Sequence, residues 1–332
     1  MEIMKNLLLI MPNFFDYPHS IEQELRKMGY QVDFFDDRPS TSNLVKAIIK
    51  VNKNYLNSYI KKYFHRMMTT IKNKHYDVVL LISGQSLSFS ESMIKELKDS
   101  QSEAHFVLYQ WDSQKNFPYI TRMHPYFDVR FSFDKNDTQH DEGLRFLPLF
   151  YTQIYEELGK KTQSEYKYDC SYIGTAHPQK YRYINEMSQA LKTVLPNQFI
   201  YHYMPSKLKY LYHKVKDKEY KRAKYKEFET VKMTSQGVID VFEKSHCILD
   251  APQAGQAGLT IRTLECLGAK RKLITTNSDI KNYDFYNESN ILIFDGKIDP
   301  NAPFFTHQYE DIPEQIYQKY SLRNWLKTML DD

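Results

Sequence analysis

At 332 residues, with 42% hydrophobic and 26% charged side chains, the chain is long enough for two soluble domains with real cores. It contains no run of 18 apolar residues, which excludes a membrane-spanning helix. The net charge of +4 is too small to name a partner.

The first half alternates strands and helices. "NLLLIMP" (6–12) reads as a buried strand: the apolar core of "MEIMKNLLLIMPNFFDYPHS" is too short for a signal peptide, and no small-residue cleavage site follows. "SIEQELRKMGY" (20–30) is an amphipathic helix ending at Gly29, "QVDFFD" (31–36) a strand, and 42–74 a long helical stretch. "YDVVLLISG" (76–84), "AHFVLYQWD" (104–112) and "DVRFSFD" (128–134) are strands, with the helix "SESMIKELKDS" between the first two; "LRFLPLFY" closes the half. Residues 152–168 are polar and read as an interdomain connection. The alternation then restarts with "YDCSYIGTA" (168–176), a helix, "QFIYHYM", a charged helical stretch over 206–228, the helix "SQGVIDVFEKS", the strand "HCILDA", the helix "TIRTLECLGA", and the strands "KLITTN" and "NILIFD". "DIPEQIYQKYSLRNWLKTML" reads as one terminal helix. The expected organisation is an N-terminal Rossmann-like domain over 1–151, a second over 168–310, and a C-terminal helix in 311–332 set to pack back on the first. Two doubly wound domains of this kind hold ligands in a cleft at the carboxyl ends of their strands. Cys170, Cys247 and Cys266 are odd in number and scattered, giving no metal spacing or disulfide framework and suiting a reducing cytoplasm.

Chemistry concentrates in "APQAGQAGLTIRTLECLGAKRKLITTN" (251–277), which holds three of the ten glycines. Gly255 and Gly258 let the backbone turn and approach a ligand. The helix starting near Leu259 directs free N–H groups and its positive dipole end outward, a site suited to phosphate. Thr260 adds a hydroxyl near the N-cap, and Arg262 a forked cation. Glu265 lies a turn deeper on the same face; a carboxylate there suits the paired hydroxyls of a ribose. Phosphate donors followed by a hydroxyl acceptor point to a nucleoside diphosphate. The same stretch also reads as an ordinary loop, cap and surface ion pair.

This stretch and its continuation through 295 resemble the C-terminal half of bacterial capsule and lipopolysaccharide glycosyltransferases, CgeB-like proteins among them. The resemblance covers about 168–295; before that it is architectural only. It implies the GT-B fold, two Rossmann-like domains with a nucleotide-sugar donor on the second, UDP-sugar foremost, and no cofactor or metal. The family's Gly-Leu-Thr-x-Arg-Thr-x-Glu segment corresponds to Gly258, Leu259, Thr260, Arg262, Thr263 and Glu265. Retaining relatives carry a second glutamate eight positions earlier; here Ala257 stands there with Gln256 beside it, which favours inversion. The turn "YIGTAHPQKYR" (172–182) supplies Gly174, Thr175, His177 and Arg182 as further donor contacts, or an ordinary β–α turn. No G-x-G-x-x-G follows the first strand, no Walker sequence is present, and no Asp-x-Asp triplet occurs.

An inverting transferase needs a base for the acceptor hydroxyl. "YQWDSQKN" offers Trp111 and Asp112, a ring beside a carboxylate; "FFDYPHS" offers Asp16 and His19; "SGQS" offers Gln85. Asp112 and His19 are the candidate bases, and Trp111, Gln85 and Asp16 the candidate acceptor contacts; each also suits a turn or cap. The basic, aromatic stretch 42–76 fits either an anionic membrane surface or a core-facing helix, while 206–228 reads as a solvated helix. No nucleic-acid motif accompanies the charge. The sequence thus reads as a cytoplasmic transferase, peripheral to the membrane where 42–76 docks, moving a hexose onto a growing lipid-linked surface glycan. An epimerase or hydrolase on the same scaffold, or a non-catalytic nucleotide-sugar-binding subunit, are the alternatives.

Overall fold

The opening apolar run forms β1 (Lys5–Ile10), in which Leu7 through Ile10 are wholly buried. Continuous apolar character is what a strand covered on both faces requires. In a computed structural model describing residues 4–40, 56–161, 165–252 and 258–331, the chain divides into two units. One comprises Met1–Leu149 with Leu322–Asp332, the other Phe150–Ser321.

In the first unit β1 joins β2 (Tyr30–Phe35), β3 (Val78–Ser83), β4 (His105–Gln110), β5 (Val129–Ser132) and β6 (Arg145–Phe146). All pair in parallel, in the order β2-β1-β3-β4-β5-β6. Helices α1 (Tyr17–Lys27), α2 (Asn57–Ile71), α3 (Glu91–Ser100) and α4 (Lys135–His140) supply cover. Gly29 takes φ +92 just past α1, a left-handed conformation that favours glycine.

α2 is the described part of the basic stretch expected over 42–74; residues 41–55 lie outside the described residues. Its Ile60, Phe64, Met67 and Ile71 are buried, with Phe64 edge-on to Phe89 at 5.3 Å. The half-buried Tyr63 donates its hydroxyl to the Asp36 carbonyl. This apolar stripe therefore faces the core, leaving Lys61 and Lys62 in solvent.

The second unit pairs β7 (Tyr168–Thr175), β8 (Gln198–Tyr203), β9 (Phe228–Glu229), β10 (Ser245–Asp250), β11 (Lys272–Thr275) and β12 (Ile291–Ile293). This sheet too is parallel, in the order β12-β11-β10-β7-β8-β9. Its helices are α5 (Gln153–Lys160), α6 (Pro178–Ala190), α7 (Lys207–Lys216), α8 (Ser235–Glu243), α9 (Ile261–Gly268), α10 (Pro303–Thr306) and α11 (Glu314–Lys319). The last helix, α12 (Leu322–Leu330), belongs to the first unit. There Trp325, 1% exposed, meets Tyr109 edge-to-face at 4.6 Å, and Arg323 pairs with Glu24 at 2.8 Å.

Three segments depart from the sequence reading. The polar stretch 152–168 contains a helix, α5, anchored by buried Tyr155 and Leu158. The expected terminal helix is two, because the backbone between them bridges to Tyr151 through Tyr320 and Ser321. The 206–228 stretch is helical only through Lys216, and then makes two tight turns before β9. Tyr210 fixes it, packing on Tyr225 and Phe228.

Each sheet reverses its strand order once, between β1 and β3 in the first unit and between β7 and β10 in the second. At such a point the loops leaving adjacent strands diverge to opposite faces, opening a crevice at the carboxyl ends.

Candidate functional site

In the second unit the two strands at the reversal end in Gly174–Thr175 and in Asp250. A Cβ on Gly174 would stand 2.3 Å from the Tyr172 hydroxyl, so glycine makes room for that ring. Tyr172 is 2% exposed, and its hydroxyl has no hydrogen-bond partner among the described residues. Burial, with Asp250 nearby, raises its phenol well above the usual range. Asp250, equally buried, accepts from Lys180 Nζ at 3.2 Å and from the Thr260 hydroxyl. Thr260 is the N-cap of α9: its oxygen accepts from the Thr263 N–H at 3.3 Å while its proton goes to Asp250. One hydroxyl thus ties the end of β10 to the start of α9. Gly258 and Leu259 are buried leading into that cap. Gln256 lies outside the described residues, as do its neighbours from 253 to 257.

Arg262 and Glu265 turn toward each other. The guanidinium lies 2.7 Å from the carboxylate, with side chains 19% and 4% exposed. Arg262 also covers the Phe242 ring at 5.0 Å. Tyr155, from α5, turns its hydroxyl toward Glu265 and Arg262 and packs edge-on to Phe242 at 5.2 Å. Burial and then the Glu265 charge push its phenol far up. The sequence reading aimed Arg262 at phosphate and Glu265 at ribose; here the two close a knot among α5, α8 and α9. Both cations named at this edge thereby face carboxylates, Lys180 that of Asp250 and Arg262 that of Glu265. Further positive potential comes from the first-turn N–H groups that any helix leaves without intrahelical partners.

The turn after β7 divides its candidates. Half-buried Thr175 is the last residue of the strand, paired in register with Tyr203. His177 is the exposed N-cap of α6, ahead of Pro178. Arg182 lies along the helix, 3.8 Å from Glu186 and stacked on Tyr183 at 4.6 Å. Lys180, about 200° around the helix from it, is the side chain that α6 sends to Asp250. His202, near the end of β8, is 2% exposed between Tyr172 and Tyr181 at 5.1 and 5.0 Å. Neither of its ring nitrogens has a partner among the described residues, and burial lowers its pKa to about 4.

The first unit's edge is built differently. Asp37, fully buried just past β2, accepts from the Ser83 hydroxyl at 2.7 Å and the Ser86 hydroxyl at 2.5 Å. Its carbonyl takes the Ser88 hydroxyl at 2.7 Å, and Arg38 Nε stands 3.7 Å from its other carboxylate oxygen. Burial raises its pKa to about 7 against the pull of these serines and Arg38. Next to it, Asp112 accepts the Gln85 N–H at 2.9 Å, directly over Gly84, where a Cβ would come within 2.2 Å of that oxygen. The Trp111 N–H goes to the Ser83 carbonyl at 3.2 Å, and Gln85 Nε2 to the Asn116 carbonyl at 3.3 Å. Trp111, Asp112 and Gln85 are thus brought together at the ends of β3 and β4.

Asp16 and His19 belong to the loop and helix after β1. Asp16 is the exposed N-cap of α1, and His19 Nε2 accepts from Gln23 at 2.8 Å. Between them and β1, Phe15 has φ +50, and its ring meets that of Phe14 at 4.5 Å with both exposed.

Four polar groups at these edges were missed in the sequence: Tyr155, Lys180, Asp250 and Asp37. Asp250 had a visible signal, an acid closing an apolar run, and Lys180 stood within a turn already singled out. Tyr155 and Asp37 take their partners from distant segments.

No family model and no curated protein sequence matches the chain. Among solved structures it is similar to an alpha-glucosyltransferase in complex with UDP and a 13-mer DNA, with TM-score 0.55 and 13% identity, over 99% of this chain and 91% of that one. It is similar to the lipopolysaccharide outer core galactosyltransferase WaaB, with TM-score 0.54 and 10% identity, over 98% and 99% of the two chains. It is also similar to HepE from Anabaena in complex with UDP-glucose, with TM-score 0.56 and 9% identity, over 98% and 95%. The likeness is one of fold: the chain has the GT-B architecture of two doubly wound parallel sheets.

Proposed function

We propose that the protein is a nucleotide-sugar glycosyltransferase that moves a hexose from a UDP-sugar to a hydroxyl of a growing, lipid-linked surface polysaccharide in the cytoplasm. The observation that carries this reading is the Lys180–Asp250–Thr260 cluster at the N-terminus of α9, where the second sheet reverses its order. The UDP complexes of similarly folded enzymes support the choice of donor.

In this reading the diphosphate takes up the first-turn N–H groups of α9, Lys180 lies beside it, and Glu265 meets the ribose. Thr175, His177, Arg182 and Gln256 complete the donor side. On the first unit Trp111, Gln85 and Asp16 contact the acceptor. Asp112, or His19, takes the acceptor proton as its oxygen displaces the diphosphate from the far side of the sugar carbon, with inversion. Stabilisation of the leaving group by fixed dipoles and cations needs no metal, so activity should persist in excess EDTA; loss restored by magnesium or manganese would overturn this mechanism.

The pairing of Lys180 and Arg262 with carboxylates favours a second reading, a subunit that binds the nucleotide sugar without turnover. A thermal-shift screen of nucleoside diphosphates and their sugars identifies the donor, and product analysis with and without a glycan acceptor then separates the readings. Transfer requires an acceptor, an epimerase or hydrolase makes product from donor and water alone, and a binding subunit makes none.

A further inference from the structure

α7 has two faces, and its apolar one is turned outward. Tyr210 points in, 7% exposed, with its hydroxyl donated to the Ala223 carbonyl at 2.9 Å. His213 stacks on Tyr220 at 5.3 Å. On the opposite side Leu208, Leu211, Tyr212 and Val215 are 80%, 48%, 55% and 87% exposed. Their i, i+3, i+4, i+7 spacing gathers them into one stripe about 100° wide. A solvated helix carries polar residues there.

The rims of the stripe are cationic. By helical phase Lys207 and Lys214 flank one side, and Lys209 and Lys216 the other. The helix contains no acidic residue. Asp217, just beyond it, is held by His213 at 2.7 Å, and Glu227 takes the Tyr181 hydroxyl. Lys218, Lys221, Arg222, Lys224 and Lys226, all exposed, continue the positive surface around the half-buried Glu219. An apolar stripe with a tyrosine and lysines along both rims is complementary to a bilayer whose apolar interior lies beneath negative headgroups. A protein groove would need a hydrophobic floor between two acidic walls.

We propose that α7 docks the protein on an anionic membrane, lying in the interface with Leu208, Leu211, Tyr212 and Val215 among the acyl chains and its lysines at the headgroups. This places the docking surface on the second unit rather than on the 42–76 stretch, where Ile60, Phe64, Met67 and Ile71 of α2 face the core. The proposal does not depend on the transferase reading.

The test is co-sedimentation of the full chain with vesicles of phosphatidylglycerol and phosphatidylcholine, and with phosphatidylcholine alone. Every stripe residue and every lysine changed is at the surface, and thermal melts check that each variant folds. Wild type should sediment with the anionic vesicles only, and less as salt rises. Lys207→Gln with Lys209→Gln and Lys216→Gln should lower partitioning roughly a hundredfold, at about tenfold per 1.4 kcal/mol and about 1 kcal/mol per lysine. Leu208→Ser with Leu211→Ser and Val215→Ser should abolish it, while Lys61→Gln with Lys62→Gln should leave it unchanged. Wild type remaining in the supernatant overturns the proposal. So does loss of binding in the α2 variant alone, which would place the surface there. A dimer by light scattering that the serine variant dissociates, with no vesicle binding by wild type, would assign the stripe to a second copy of this chain.

Discussion

The two sheet edges share an architecture and differ in charge. At the second unit's reversal point, two cations and a helix N-terminus surround buried carboxylates. At the first unit's, a buried carboxylate is held by serine hydroxyls with one arginine 3.7 Å away. The strands and their crossovers are alike, so loop residues alone separate the two edges; on the proposed function the second unit's edge takes the anion and the first unit's a neutral, hydroxylated ligand. Fold gives the crevice, and the side chains at its rim decide what enters it.

Asp112→Asn separates the edges most sharply. It keeps the acceptor for the Gln85 N–H while removing the base. The expected result is a fall in transfer rate of about 10²–10⁴ with unchanged nucleotide affinity. A variant of normal rate would leave Asp112 only its turn.

On the second unit the largest effect is expected at the α5–α8–α9 knot. Glu265→Ala leaves the Arg262 charge, largely buried, without its carboxylate and should destabilise by about 3 kcal/mol or more in denaturant melts. Glu265→Gln, which preserves shape, tests the ribose role: it should weaken nucleotide binding by roughly 1.5–3 kcal/mol in calorimetry if the carboxylate meets the ribose.

The edges should also respond oppositely to pH. Asp37 has a folded pKa of about 7, above its unfolded value. Its contribution to stability is present in acid and lost as pH rises through 7. Asp37→Asn should therefore flatten the fall in stability between about pH 4 and 7. His202, lowered to about 4, works the other way. The unfolded chain binds its proton below about pH 6.5, so stability is full above that and falls by about 3 kcal/mol as pH approaches 4. His202→Phe should remove that loss. Chemical denaturation from pH 4 to 8 reads both, and matching slopes in wild type and variants would reject the assignments.

How far the sequence reached follows from how local each signal was. The buried strands announced themselves through apolar runs, and Gly29 and Thr260 through the backbone chemistry of helix ends. α5 did not, because Tyr155 and Leu158 are its only buried residues and its remaining large apolar side chain, Ile154, is exposed among charged and polar positions. The break before α12 depends on Tyr151, some 170 residues away in sequence. Asp37 drew no notice in the sequence, since the serines that hold it lie on and after β3. The start of α9 at Thr260 was legible, whereas the direction of the Arg262 and Arg182 side chains was set by neighbours the sequence does not place. Tyr155→Phe, which removes one hydroxyl from the knot, is the smallest expected effect, about 1 kcal/mol in the same denaturant melts.

The central claim is that the second unit's edge, and not the first's, holds the nucleoside diphosphate. Hydrogen–deuterium exchange with and without saturating UDP tests it most directly. Slower exchange in peptides covering 172–182 and 250–265, with 11–19, 83–86 and 110–116 unchanged, is the predicted result. Protection confined to the first unit's peptides would contradict it.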